Sequence, residues 1–450
     1  MKFKKDFVWG AAAAAYQIEG AARADGRGLD VWDMFAREPG RVEEGHNADL
    51  GSDHYHRLDG DLDLFRQIGL DAYRFSIAWP RILPEGTGRV NEKGLDFHDR
   101  LVDGLLARGI APWATLFHWD YPYELYCRGG WLNRDSADWF ADYTRVVVEK
   151  LGDRVKHWMP QNEPQCFIGL GLGTGAHAPG LKLHWPEQLR AAHHALLAHG
   201  KSVDVLRGVC ADAVIGAAPV ACLEIPAVDT PEAVAAAKEG TFVMREKTLW
   251  RTPWFTDPMC LGHYPEDGLA VFGKDMDGIV RPGDMEQIHR KLDFFGYNIY
   301  NGQRVDAGPD GRSVSAPATP GHPSTTMHWR VEPSCMYWAA KWFYERYQLP
   351  IVITENGLAN NDWVDLDGKV NDPQRIDFTR RYLRELGRAA EEGVPVDAYF
   401  HWSVMDNYEW ALGYNRRFGL IHVDYGTLER TLKASAYWYR GVIESNGGTL

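Results

Sequence analysis

Eight short, almost continuously apolar runs, each followed by a segment of helical period, constrain this chain more than any other feature. The runs are 7–13, 72–78, 111–117, 155–159, 214–220, 294–297, 351–354 and 396–400. The helical segments are 59–68, 93–108, 135–151, 186–206, 231–247, 334–347, 374–392 and 432–443. Runs that lack apolar/polar alternation are what parallel strands look like when helices cover both faces of their sheet. Asp135 and Pro186 add helix-start signals at two of the expected positions. Eight βα units favour a sheet closed on itself over an open doubly wound sheet. A (β/α)8 barrel takes about 250 residues, and more than about 400 with insertions. The 450 residues therefore suit one barrel with extended βα loops. Two α/β domains would want a linker, and no Ser/Gly/Pro-rich stretch divides the chain. We expect residues 1–450 to form a single α/β domain, a (β/α)8 TIM barrel.

Composition narrows the function classes. Lys plus Arg is 49 and Asp plus Glu is 62, a formal charge of −13, which argues against nucleic acid or an anionic membrane surface as partner. No window reaches the roughly 18 apolar residues of a membrane span, and the basic start at Met1 leads into no signal-type apolar region. Six scattered cysteines show no CxxC spacing and read as reduced thiols in a cytoplasmic protein. His54 with His56, and His193 with His194, lack a third ligand at metal-site spacing, so no metal is expected and they read as solvated histidines. No phosphate-binding glycine motif calls for a nucleotide, and no cofactor is expected. The aromatic content, 18 Trp, 20 Tyr and 18 Phe, suits carbohydrate faces, although large cores use the same residues. Oligomeric state is left open, a homo-oligomer included.

On a barrel of this kind the chemistry sits where strands end and βα loops begin. Those positions carry Gln17 and Glu19 after the first run, Arg74 and Trp79 in and after the second, and His118-Trp-Asp120 after the third. The fourth leads to Asn162-Glu163-Pro164, the sixth to Asn298 and Tyr300, and the seventh to Glu355-Asn-Gly357. The eighth gives His401-Trp402-Ser403 and then Asp406-Asn-Tyr-Glu409-Trp410. Either Glu163 or Glu355 alone would read as a loop acid or a salt bridge. Strands four and seven, however, face each other across the barrel mouth. Two opposed carboxylates are what glycosidic cleavage requires, one to protonate the departing oxygen and one to attack or to activate water.

Several segments, in order from about residue 5 to about 440, resemble family 1 glycoside hydrolases. They are Phe7-Val-Trp-Gly-Ala11, Gln17-Ile-Glu-Gly20, Arg74-Phe-Ser-Ile-Ala-Trp-Pro-Arg81, Thr115-Leu-Phe-His-Trp-Asp120, Asn162-Glu-Pro164, Ile353-Thr-Glu-Asn-Gly357, Tyr399-Phe-His-Trp-Ser403, Asp406-Asn-Tyr-Glu-Trp410 and Arg417-Phe-Gly419. The resemblance implies a retaining β-glycosidase of β-glucosidase type on a single barrel, acting on small β-linked glucosides, with galactosides and fucosides as further substrates. It makes Glu355 the nucleophile and Glu163 the acid/base, supported by Arg74, Asn298 and Tyr300. It assigns sugar binding to Gln17, His118, Asn162, Trp402, Glu409 and Trp410. Arg74 and Tyr300 would favour the ionised form of Glu355, whereas Glu163 should be raised by burial and by its charged partner. Retention calls for carboxyl groups about 5–5.5 Å apart.

Glu409 also bears on the closest alternative within the class. Phospho-glycosidases of the family resemble this stretch but place Ser there, so the acid favours an unphosphorylated sugar. Three residues depart from the pattern: Gln165 stands where many members carry a Trp on the leaving-group side, Pro160 where Thr is usual, and Ile299 where Tyr is usual. Trp329 then becomes the expected aromatic platform for the leaving group. A non-catalytic glycoside-binding barrel would need one of the two acids to be missing.

Overall fold

The runs become strands of one parallel sheet, described by a computed structural model for residues 3–317 and 319–450. The strands are β1 (Val8–Ala13), β2 (Ala72–Ser76), β3 (Ala111–Phe117), β4 (His157–Gln161), β5 (Val214–Ile215), β6 (Phe295–Asn298), β7 (Ile351–Asn356) and β8 (Val396–Trp402). Neighbours follow the order β5-β4-β3-β2-β1-β8-β7-β6. The ring closes between β5 and β6 through parallel bridges Gly216 to Phe294 and Val220 to Asn298. The main covering helices are α1 (His54–Ile68), α2 (Glu92–Ala107), α3 (Ser136–Leu151), α4 (Trp185–Val209), α5 (Pro231–Phe242), α6 (Ser334–Tyr347), α7 (Pro373–Glu391) and α8 (Ala434–Glu444).

The expected alternation is thus observed, with two differences of extent. The run 214–220 forms a regular ladder only over Val214–Ile215 and continues as isolated bridges at Gly216, Ala218 and Val220. Pro219 lies in that stretch and has no N–H for a ladder. Helix α5 ends at Phe242 rather than 247, because Val243 turns extended and the Met244 N–H bonds the Asp267 carboxylate at 2.7 Å. The βα loops after β5 and β6 carry a small extra sheet of Glu224–Pro226, Gln303–Ala307 and Ser313–Ser315.

Inside the barrel the residues follow the period of two. Ala12, Ala72, Trp113, Met159, Phe294, Val352, Ala398 and Phe400 pack together as an apolar floor. Gly10 is required there, since a Cβ would lie 2.4 Å from the Phe400 ring. Two residues further along their strands, Arg74 and Thr115 join each other above this floor, through a 3.1 Å bond from the Arg74 Nε. The apolar layer is therefore the base on which polar groups of the mouth stand. A larger apolar layer fills the space between sheet and helices.

The histidines are a correction. His54, His193 and His194 are buried, not solvated. His193 sits between the Tyr264 hydroxyl (3.0 Å) and Asp284 (2.8 Å), His54 contacts Asp61 (2.8 Å), and His194 contacts the Trp131 carbonyl. These pairings satisfy both ring nitrogens of His193 and one each of His54 and His194. Among the described residues, no three His, Cys, Asp or Glu side chains converge as a metal site, and no helix is long and apolar enough to cross a membrane.

Candidate active site

Glu163 stands just past the end of β4. Its backbone has φ of +49°, the left-handed region, and its N–H bonds the Ala218 carbonyl at 2.8 Å. Glu355 lies within β7, where the pairing with β6 shifts register between Ile353 and Glu355. Both carboxylates are buried, with 7% and 3% exposure. Such burial of two acids needs partners.

The partners differ, and the difference separates the two acids. Arg74 donates to Glu355 Oε1 at 2.6 Å and the Tyr300 hydroxyl donates to Oε2 at 2.7 Å. Glu163 receives only neutral donors, Asn298 Nδ2 at 2.8 Å and the Cys166 thiol at 3.3 Å. Asn162 and Asn298 tie the halves together. Asn162 Oδ1 accepts from Arg74 at 2.6 Å and from Asn298 at 3.0 Å, while Asn298 Oδ1 accepts from Thr354 at 2.6 Å. Burial, reinforced by the nearby Glu355 charge, lifts Glu163 to about 8. Burial also raises Glu355, and Arg74 and Tyr300 oppose that rise. Arg74 and Tyr300 thus favour the ionised form of Glu355, as expected, although the loss of hydration is the larger effect.

Around the acids the structure brings together the residues expected to hold a sugar. Gln17 Nε2 bonds the Tyr408 carbonyl (2.8 Å) and Glu409 (3.3 Å), while its Oε1 is buried without a partner and can accept a hydroxyl. Because Asn162 Oδ1 already accepts two donors, its Nδ2 must donate to His118 Nε2, 3.0 Å away. His118 is then neutral with its proton on Nδ1, in keeping with a pKa that burial and the Arg74 charge push well down. Glu409 is raised to about 8 by burial and by the charges of Glu355 and Glu163. Trp402 and His118 lie nearly parallel, with rings 5.7 Å apart, and Trp410 packs on Trp119 at 4.4 Å and on Trp32 at 4.7 Å.

These groups open onto a cavity of about 840 Å³ that includes His118, Glu163, Glu355, Trp402, Glu409 and Trp410 in its wall. Trp329 lines it too, 5.0 Å from the Tyr300 ring. Gln165 does not. It is fully buried and holds both the N–H and the C=O of Val220, at 3.2 and 3.1 Å, so it braces the loop after β5. Ile299 is likewise buried, and its carbonyl accepts from Asn356 at 2.7 Å. Sequence reasoning missed Cys166, Thr115 and Thr354 as supports, and Trp250, Arg251, Arg304 and Arg330 in the cavity wall. Strand periodicity could have found Thr115, two residues beyond Trp113. The same period marks Thr354, two residues beyond Val352; no local signal marks the others.

An eight-stranded parallel barrel with two buried, opposed carboxylates at its mouth defines a glycosidase. The family model for glycosyl hydrolase family 1 matches residues 1–448. β-Glucosidase A of Thermotoga maritima is 43% identical, with 99% of this chain and 98% of that protein covered. A bifunctional β-D-glucosidase/β-D-fucosidase of Bifidobacterium breve is 41% identical, with 98% of each covered. The solved Thermotoga maritima β-glucosidase in complex with glucoimidazole has a TM-score of 0.90 at 42% identity, covering 99% of both chains. The chain belongs to glycosyl hydrolase family 1.

Proposed function

We propose that this glycoside hydrolase is a retaining β-glycosidase that removes terminal β-linked glucosyl residues from small glycosides and oligosaccharides. In the first step a Glu355 oxygen attacks the anomeric carbon as the glycosidic C–O bond breaks, and Glu163 gives its proton to the departing oxygen. The charge of Glu355 is thereby consumed, and the like-charge repulsion on Glu163 falls. Glu163 then takes a proton from water, whose oxygen attacks the same carbon and releases Glu355. The single observation that carries these roles is the unequal partnering: a guanidinium and a phenol on Glu355, an amide and a thiol on Glu163. Gln17, His118, Asn162 and Glu409 supply sugar hydroxyl contacts, Trp402 and Trp410 the apolar faces, and Trp329 a platform for the leaving group. Arg74, Asn298 and Tyr300 hold the acids in place.

Relatives named β-glucosidase and the buried acid Glu409 support glucose as the glycone; fucosides are a second substrate class, as the bifunctional relative's name suggests. Oligosaccharides from cellulose degradation suit the reaction, and the cytoplasm suits six free thiols.

The test is chemical. Glu355→Ala should lose aryl β-glucosidase activity by several orders of magnitude; full activity would overturn the nucleophile. Glu163→Ala should still release an activated phenol but stall at deglycosylation, with azide restoring turnover as the β-glucosyl azide. Absence of that product would remove Glu163 from the acid/base role.

A further inference from the structure

The cavity extends beyond the two acids onto a wall that the sugar site does not use. It is built by the long loops after β5 and β6, which contribute Trp250 and Arg251, then Arg304, then Trp329 and Arg330. Trp250 is 37% exposed, an indole left in contact with the open cavity. Three guanidiniums line this end and only one carboxylate, Glu224, accompanies them. Glu224 pairs with Arg251 at 3.2 Å, which cancels one positive charge. Arg304 donates to the Ala227 carbonyl at 2.8 Å, a bond that orients the side chain without neutralising it. Glu332, the next acid along the loop, faces His322 at 3.2 Å, and the charges of Arg304 and Arg330 also act on it without an ion pair to either, so with it this end keeps three guanidiniums against two carboxylates. Among the described residues, neither Arg304 nor Arg330 has a carboxylate within 4.0 Å.

A surplus of positive charge here is at odds with the chain as a whole, which carries a net −13. Guanidinium groups are planar donors that match a carboxylate, and Arg304, half-buried, and Arg330, exposed, can both be reached by a ligand in the cavity. The two indoles offer flat apolar faces beside them. We propose that the leaving-group end of the cavity takes an aromatic aglycone bearing a carboxylate, its ring between Trp250 and Trp329 and its anion on Arg304 and Arg330. This rests on the β-glucosidase reading, and it names the class of glucoside that the enzyme prefers.

The test compares two β-glucosides, that of 3-(4-hydroxyphenyl)propionic acid and that of its primary amide. Two methylenes insulate the phenol oxygen from the acid group, so the two leaving groups depart equally well and only recognition differs. The wild-type enzyme should favour the acid in kcat/KM by about fivefold to tenfold at low salt, with the ratio shrinking as ionic strength rises. Arg330→Gln should lower the ratio partway, and Arg304→Gln combined with Arg330→Gln should bring it close to one. A wild-type ratio of one, or a ratio that both substitutions leave intact, overturns the proposal. Failure to hydrolyse either compound and 4-nitrophenyl β-glucoside as well would instead bring down the glucosidase reading, and this proposal with it.

Discussion

Glu163 occupies a left-handed backbone conformation that side chains other than glycine adopt at a cost, commonly seen where function fixes the geometry. The surrounding bonds hold it there: its N–H on Ala218, and its carboxyl on Asn298 and Cys166. The proposed mechanism needs this acid protonated at the start of the cycle. The basic limb of the pH profile for kcat/KM should therefore report Glu163, with activity falling as pH rises through about 8. The thiol of Cys166 donates to the ionised form and so holds that value down. Cys166→Ala should move the basic limb to higher pH, as read from the profile on an unactivated alkyl glucoside. A limb that moves down or stays put would mean that the sulfur contact does not bear on the proton. Cysteine spacing alone reads these residues only as reduced thiols, since nothing in the local sequence shows that residue 166 turns back onto residue 163.

The elements that carry the site are braced from outside it. The loop from Asp406 to Trp410, which presents Glu409, is anchored where Asp406 meets Lys433 at 2.7 Å and Arg417 at 2.6 Å. Lys433 also bonds Asp362 at 2.6 Å, and Arg375 joins Asp362 and Asp372, all of these being buried. Burial alone would raise the Asp406 carboxyl, yet Lys433 and Arg417 bring it down to about 2. Lys433→Ala leaves two buried acids short of a cation and should cost roughly 3–5 kcal/mol in urea unfolding, with a raised KM for glucosides as the loop loosens. A loss below about 1 kcal/mol would show the network to be dispensable. At this scale the sequence was readable where one physical signal dominates. Continuous apolar runs mark the strands, and the strand ends place Glu163, Glu355, Arg74 and Asn298. His193 and His194 were misread because their partners are distant in the chain, Asp284 being 91 residues from His193 and Trp131 63 from His194; His54 meets Asp61 seven residues on, a pairing that no local pattern marks. The small extra sheet was missed because its strands are three to five residues long and partly exposed. Gln165 occupies the family position of a wall residue, but its amide is spent on both backbone groups of Val220.

Across the whole molecule, the sugar end of one cavity gathers three acids, Glu163, Glu355 and Glu409, of which Glu355 alone has a cation against it, Arg74. Burial lifts Glu163 and Glu409 to about 8, first by loss of hydration and then by mutual repulsion within the set. A carboxyl whose pKa is higher folded than unfolded binds its proton more tightly in the native state. Its contribution to stability is fully present below the unfolded value, near 4.5, and declines as pH rises towards the folded value. The free enzyme should therefore lose stability between about pH 5 and pH 8. Glu163→Gln keeps the shape and hydrogen-bonding capacity of the side chain but cannot ionise, and it also removes a like charge from beside Glu355. We expect this variant to be inactive on unactivated glucosides and more stable at pH 7 by roughly 1–3 kcal/mol. For a chain of this length that is roughly 1 °C in Tm for each kcal/mol. The decisive measurement is the slope of Tm against pH rather than one value. The slope between pH 5 and 8 should be shallower in the variant than in the wild type, whereas parallel slopes would show that Glu163 titrates alike in the folded and unfolded chain.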